Sequence, residues 1–112
     1  MIYDRILTIA RLPEGVGAIV QAEKLDPLLV VWCGEREVYH RRFWEAVQAD
    51  SRIDRLVEIP LHRQEADAGN FAVYGDHTYE IVQAQFTYDE QNLPVTWLSL
   101  KRMANHYDIA GI

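Results

Sequence analysis

With a single cysteine, Cys33, the chain has no intramolecular disulfide open to it, which argues against a secreted disulfide-held scaffold. Basic residues are also few: 11 Lys and Arg stand against 17 Asp and Glu, for a formal net charge of -6. That balance gives no general attraction to nucleic acid or to an anionic membrane, so any such contact needs a local patch. Long hydrophobic runs are missing as well, and no stretch is long enough to span a bilayer. The opening "MIYDRILTIARLPEG" carries Asp4, Arg5 and Arg11 among its apolar residues, which does not fit a signal peptide. The expectation is a soluble protein made in a cytoplasm. There is no internal repeat and no low-complexity segment.

What the chain does have is 112 residues at 49% hydrophobic and 25% charged, enough for one domain with a modest core. Tyr3 to Leu12 reads as a strand that Pro13 ends. Residues Pro13 to Pro27, bracketed by prolines and opening with Gly15 and Gly17, read as a long flexible loop. "LLVVWC", Leu28 to Cys33, is a continuous apolar run, the pattern of a strand buried on both faces, with a more polar continuation to Glu37. Tyr39, Phe43, Ala46 and Val47 then fall at i, i+4, i+7 and i+8, one apolar face of a short helix.

Beyond Asp50-Ser51, the residues Ile53, Val57, Ile59 and Leu61 alternate as in a half-buried strand, and Pro60 points to an edge or a bulge. "FAVYGDHTYEIVQAQF" reads as two strands around a tight turn at Gly75-Asp76. Its second strand changes apolar face near Ile81, which predicts a bulge there. "YDEQN" turns the chain into a last strand, "LPVTWLSLKRM", and Ala104 to Ile112 reads as a loose tail. The sum is a mainly β fold: a small antiparallel β-barrel of about six strands, with one inserted short α-helix and a long loop.

Residue patterns for chemistry are weak. His40, His62, His77 and His106 have no spacing that puts two imidazoles on one metal. Cys33 ends an apolar strand, the setting of a small buried hydrophobe rather than a nucleophile. Glu35, Glu37, Asp67, Asp76, Glu80, Asp89 and Glu90 fall in turns and on polar faces, with nothing pairing them as acid and base. "GVGA", Gly15 to Ala18, lacks the further residues of a nucleotide loop. No catalytic residue, metal or cofactor is expected.

The cations at the start of the expected helix stand apart. His40, Arg41 and Arg42 oppose the helix dipole there, at about 0.3–1 kcal/mol each when exposed. Glu35, Glu37 and Glu45 offset part of that cost, or Arg41 and Arg42 meet acidic groups on another protein. With Tyr39, Phe43 and Trp44 beside them, the arginines also fit a single-stranded nucleic-acid grip on a small barrel. A small enzyme is the third reading, and it requires a concave site with converging polar groups.

In order along the chain, the segments resemble the head-closure, or head–tail connector, proteins of long-tailed bacteriophages of the siphovirus type. The matching pieces are "YDRILTI" (Tyr3 to Ile9), "VVWC" ahead of a helix with Phe43 and Ala46, "LVEI", "VYGDHTYEI" and a final "LSLKR". Together they cover Tyr3 to Arg102. The resemblance implies a structural virion protein without catalytic residues, a small β-barrel with a helix and long loops. Copies of it would form a ring beneath the portal protein, close or extend the DNA channel, and receive the tail. A tail-completion protein at the same joint is the related alternative. DNA would pass without sequence-specific binding, which an acidic subunit suits. On this reading His40, Arg41, Arg42 and Trp44 face the portal or a neighbouring copy. Glu14, Gly15, Val16, Gly17 and Ala18 belong to a loop that reaches into the channel or to that neighbour.

Overall fold

A computed structural model describes residues 3–15, 17, 24–36, 53–75, 77–104 and 106–109. The helix expected over Tyr39 to Val47 lies outside these residues. Among the described residues seven strands form in chain order: β1 (Arg5–Arg11), β2 (Lys24–Arg36), β3 (Arg55–Pro60), β4 (Phe71–Tyr74), β5 (His77–Tyr88), β6 (Pro94–Arg102) and β7 (Asp108–Ile109). They pair in the order β1-β4-β5-β6-β3-β2, and β2 pairs back onto β1, so six antiparallel strands run in a ring-like sheet. The two-residue β7 adds in parallel to the start of β2. The mainly β, small antiparallel architecture expected from patterning is therefore present.

Alternation builds the interior. Leu7 and Ile9 of β1, Cys33 of β2, Val57 and Ile59 of β3, Tyr79 and Ile81 of β5, and Leu98 and Leu100 of β6 share one buried cluster. Each such aliphatic side chain contributes about 1.5–3 kcal/mol by leaving water. The expected hairpin is there, with Tyr74 opposite His77 and Gly75 at φ 63°, a value that glycine adopts without steric cost. The expected bulge is there too, between Ile81 and Gln83. It explains the apparent change of face: Val82 is the extra residue, and Ala84 returns to the inside opposite Leu98.

Four expectations need correction. The run Leu28 to Cys33 is not buried on both faces. Leu29 and Val31 pack on the core with Cys33, whereas Leu28, Val30 and Trp32 are exposed, because this wall of the ring has only one inner side. The loop from Pro13 does not extend to Pro27, since β2 already starts at Lys24. Pro27 is accommodated there because Leu28 is an extra residue between the pairs Ile9–Leu29 and Ala10–Pro27, a bulge where a missing N–H does little harm.

Next, β3 is not an edge strand: it pairs with β2 on one side and β6 on the other, and Pro60 ends it. Leu61 donates its N–H to the Pro94 carbonyl, so the alternation of an antiparallel pair turns the nitrogen of Pro60 away from β6. Leu61 itself leaves the inward series at φ 68° and is exposed.

The fourth concerns the tail. Ala10, Leu25, Phe71 and Ile109 form a second buried cluster outside the ring, with Met103 and Tyr107 packed against it. Thr78 ties this stretch down: its carbonyl accepts from Met103 N–H and its Oγ1 from Tyr107 N–H, both at 2.9 Å. His106 Nδ1 lies 3.1 Å from the same hydroxyl. Residues 106–109 are thus docked, not loose. Replacing Thr78 with Val strands the Tyr107 N–H and should lower stability by about 1–3 kcal/mol. Urea denaturation should show the loss, and amide exchange should quicken first at Tyr107 and Ile109.

Candidate functional site

One strongly built polar cluster lies on the outer face of the ring, centred on Glu58. Strand alternation in β3 sends Val57 and Ile59 inward and Glu58 outward, yet Glu58 is only 1% exposed. Its cover comes from three other segments. The Tyr3 hydroxyl donates to Oε2 at 2.8 Å, while Arg36 Nη1 and Trp97 Nε1 each donate to Oε1 at 2.9 Å. Trp97 stands opposite Glu58 in the β3–β6 register. Gly34 stands opposite it from β2 and puts no side chain over it. Arg36 also lies over the Trp97 ring, its guanidinium carbon 4.5 Å from the ring centre.

Burial and the neighbouring Glu58 carboxylate both push the Tyr3 hydroxyl well above its ordinary pKa. Tyr3 therefore stays protonated and donating. Tyr3, Trp97 and one arm of Arg36 all donate to the carboxylate, so the arrangement is a clamp joining Tyr3 to β2, β3 and β6. A cavity of about 370 Å³ adjoins it, lined by Glu58, Arg36 and Trp97 together with Tyr88, Asp89 and Glu90 of the β5–β6 turn.

A second cavity, about 650 Å³, opens at the other side of the sheet where β3 begins and β6 ends. Arg55, Lys101 and Arg102 give it a basic lining, opposed by Asp54. Arg55 sits in the inward series of β3, but at its first residue. There the guanidinium reaches the Tyr79 hydroxyl at 3.0 Å and pairs with Glu35. This hydrogen bond to Tyr79 raises the Arg55 pKa further, so its charge is permanent. Tyr79 meets Tyr74 edge to face, which seals this end of the core.

Cys33 is fully buried, as its apolar strand suggested. Burial, aided by Glu35 and Asp4 and opposed by Arg5, pushes its thiol up to about 11. Such a thiol is not a nucleophile near neutral pH. His62, His77 and His106 stay apart, and among the described residues no group of His, Cys, Asp and Glu could hold a metal ion. Nor, among them, is any helix long and apolar enough to cross a membrane.

Of the residues the sequence singled out, His40, Arg41, Arg42 and Trp44 lie outside the described residues, as do Val16 and Ala18. Glu14 and Gly15 form an exposed turn, with Gly15 at φ 83°, and Gly17 is exposed beside it. The residues that sequence reading missed are Tyr3, Arg36, Glu58 and Trp97. The one local signal was a lone carboxylate inside the aliphatic "LVEIP". Its three donors come from 55, 22 and 39 residues away, which no periodicity reports. No family model and no curated protein matches this chain.

Glu58→Ala should cost about 3–5 kcal/mol, because it leaves the Arg36 charge and the Trp97 N–H without their partner; a urea midpoint unchanged from wild type would refute the clamp. A pH titration of stability tests Cys33. A pKa raised from 9.0 to about 11 means that the folded state holds this proton longer. Stability is then intact below about pH 9 and falls as the pH climbs through 11. Tyr3 and Tyr74, also raised, add to the loss at higher pH. Cys33→Ala should make the first part of that decline shallower.

Proposed function

We propose that the chain is a structural component of the head–tail joint of a long-tailed bacteriophage, docking as a ring beneath the portal to close or extend the DNA channel and receive the tail. The observation that supports it is the order in which the resembling segments fall on the fold. "YDRILTI" leads into β1, "VVWC" lies in β2 and "LVEI" in β3. "VYGDHTYEI" spans the β4–β5 turn, and "LSLKR" ends β6. Together these strands make the small antiparallel ring-like sheet that the resemblance implies. The polar cluster around Glu58 is a clamp in which Tyr3, Arg36 and Trp97 all turn to one buried carboxylate, which suits a building block better than a catalyst.

Charge supports the same reading. At net -6 the subunit repels a phosphate backbone, and DNA slides past such a wall without sticking. A single-strand binder needs cations beside exposed aromatics. Among the described residues lining the cavity at Tyr88 and Trp97, the charges are Glu58, Asp89 and Glu90, opposed by Arg36.

The test begins with the gene's neighbourhood. Portal and major-capsid genes before it and tail genes after it are expected. Deleting the gene from such a phage should leave DNA-filled heads and free tails that do not join, visible by electron microscopy. Intact virions from the deletion would overturn the proposal.

A further inference from the structure

Among the described residues two apolar patches stay exposed, one on the outer wall of the ring and one at its open end, where the inward series of β5 runs on past Ala84. The first lies on β1 and β2, where Ile6 and Trp32 are direct cross-strand partners and Val30 stands one pair further along the same face. Ile6 is 53% exposed, Trp32 54% and Val30 60%, and Leu28 at the bulge continues the patch. The second lies where β3 ends and β5 turns into β6. The His62 ring stacks on Phe86 and meets Tyr88 edge to face, each at 5.2 Å between centres. Leu61 is tied to Pro94, the partner of Tyr88, and Leu93 closes the same turn. Phe86, Tyr88, Leu61 and Leu93 are all exposed.

Leu61 carries a second signal. A leucine at φ 68° is held in a backbone conformation that disfavours side chains, and here the strain presents that side chain to solvent.

The geometry points to a second copy of this chain as the occupant of both patches, with Ile6, Val30 and Trp32 of one copy seated on Leu61, Phe86 and Tyr88 of the next. Size is the first argument. Each patch exposes on the order of 400 Å² of apolar residues, the scale at which such surfaces on soluble proteins are usually functional. A standard interface buries about 800 Å² on each partner, a little over half of it apolar, so each patch is the right size for the apolar part of one such contact. Number is the second argument. A single kind of contact covers both patches in every copy only if it is head-to-tail, whereas a two-fold contact through either leaves the other bare. Head-to-tail contacts close into rings or extend as filaments. Closure into a ring rests on the head–tail reading above; the contact itself does not.

Sedimentation of the full chain at concentrations up to roughly 100 μM, a range that reveals contacts of about 5.5 kcal/mol and stronger, tests the contact. The wild type should associate with rising concentration, and more readily with added salt, since like-charged copies repel at low ionic strength. Trp32→Glu and Phe86→Glu should each abolish association. Mixed in equal amounts they should form a dimer that grows no further, because each supplies the patch the other has lost. If either variant loses its circular-dichroism signal, Val30→Glu or Leu93→Glu replaces it on the same patch. A wild type that stays monomeric overturns the inference, as does association dissolved by salt. A mixture of variants that stays monomeric overturns the head-to-tail geometry. None of these results bears on whether deleting the gene leaves heads and tails unjoined, so the two proposals fail separately.

Discussion

The pairing of β1 with β2 is the constraint on which the rest depends. Without it the six strands are an open sheet with two unsatisfied edges, and the inner face has nothing to pack against. With it, residues from all six strands converge on one interior, from Leu7 and Ile9 through Ala72 and Tyr79 to Leu98. The pairing is long, running from Arg5–Cys33 to Arg11–Asp26, and survives one irregularity at the Leu28 bulge. Beyond that irregularity the start of β2 pairs with β7, and the second cluster around Leu25 and Ile109 forms there beside the ring.

Closure has a cost on the outside. A ring wall has one face to bury, and an apolar residue on its other face stays in water unless something covers it. The chain treats its outer face in three ways. Around Glu58 it covers the face with its own polar side chains, and around Ala10 and Phe71 with its own C-terminal residues. Along Ile6, Val30 and Trp32 the described residues leave it bare. The first two are complete within one chain. The third is consistent with a subunit whose folding is finished before its assembly is.

The two polar regions divide the work of holding the ring. The Glu58 clamp fixes Tyr3, β2, β3 and β6 relative to each other on the outside. Arg55 and Tyr79 close the interior where β3 starts, with Glu35 fastening the arginine to β2. Both use charged groups whose partners are supplied from distant parts of the chain, so both report correct closure rather than local propensity.

By itself the sequence determined most of the strands and turns, though not the start of β2 or the existence of β7. Alternation located β3, β5 and β6 within a few residues, Gly75 marked the hairpin, and the change of apolar face at Ile81 predicted the bulge, because these are local properties of a two-residue repeat. It did not determine which side of "LLVVWC" met the core, since an apolar residue reads the same whether it faces an interior or a neighbour. Nor could it foresee that Glu58 would be buried, that Pro60 would end an inner strand, or that Thr78 would dock the tail. Those outcomes were decided by the tertiary structure, because each depends on groups far apart in sequence that meet only when the ring closes.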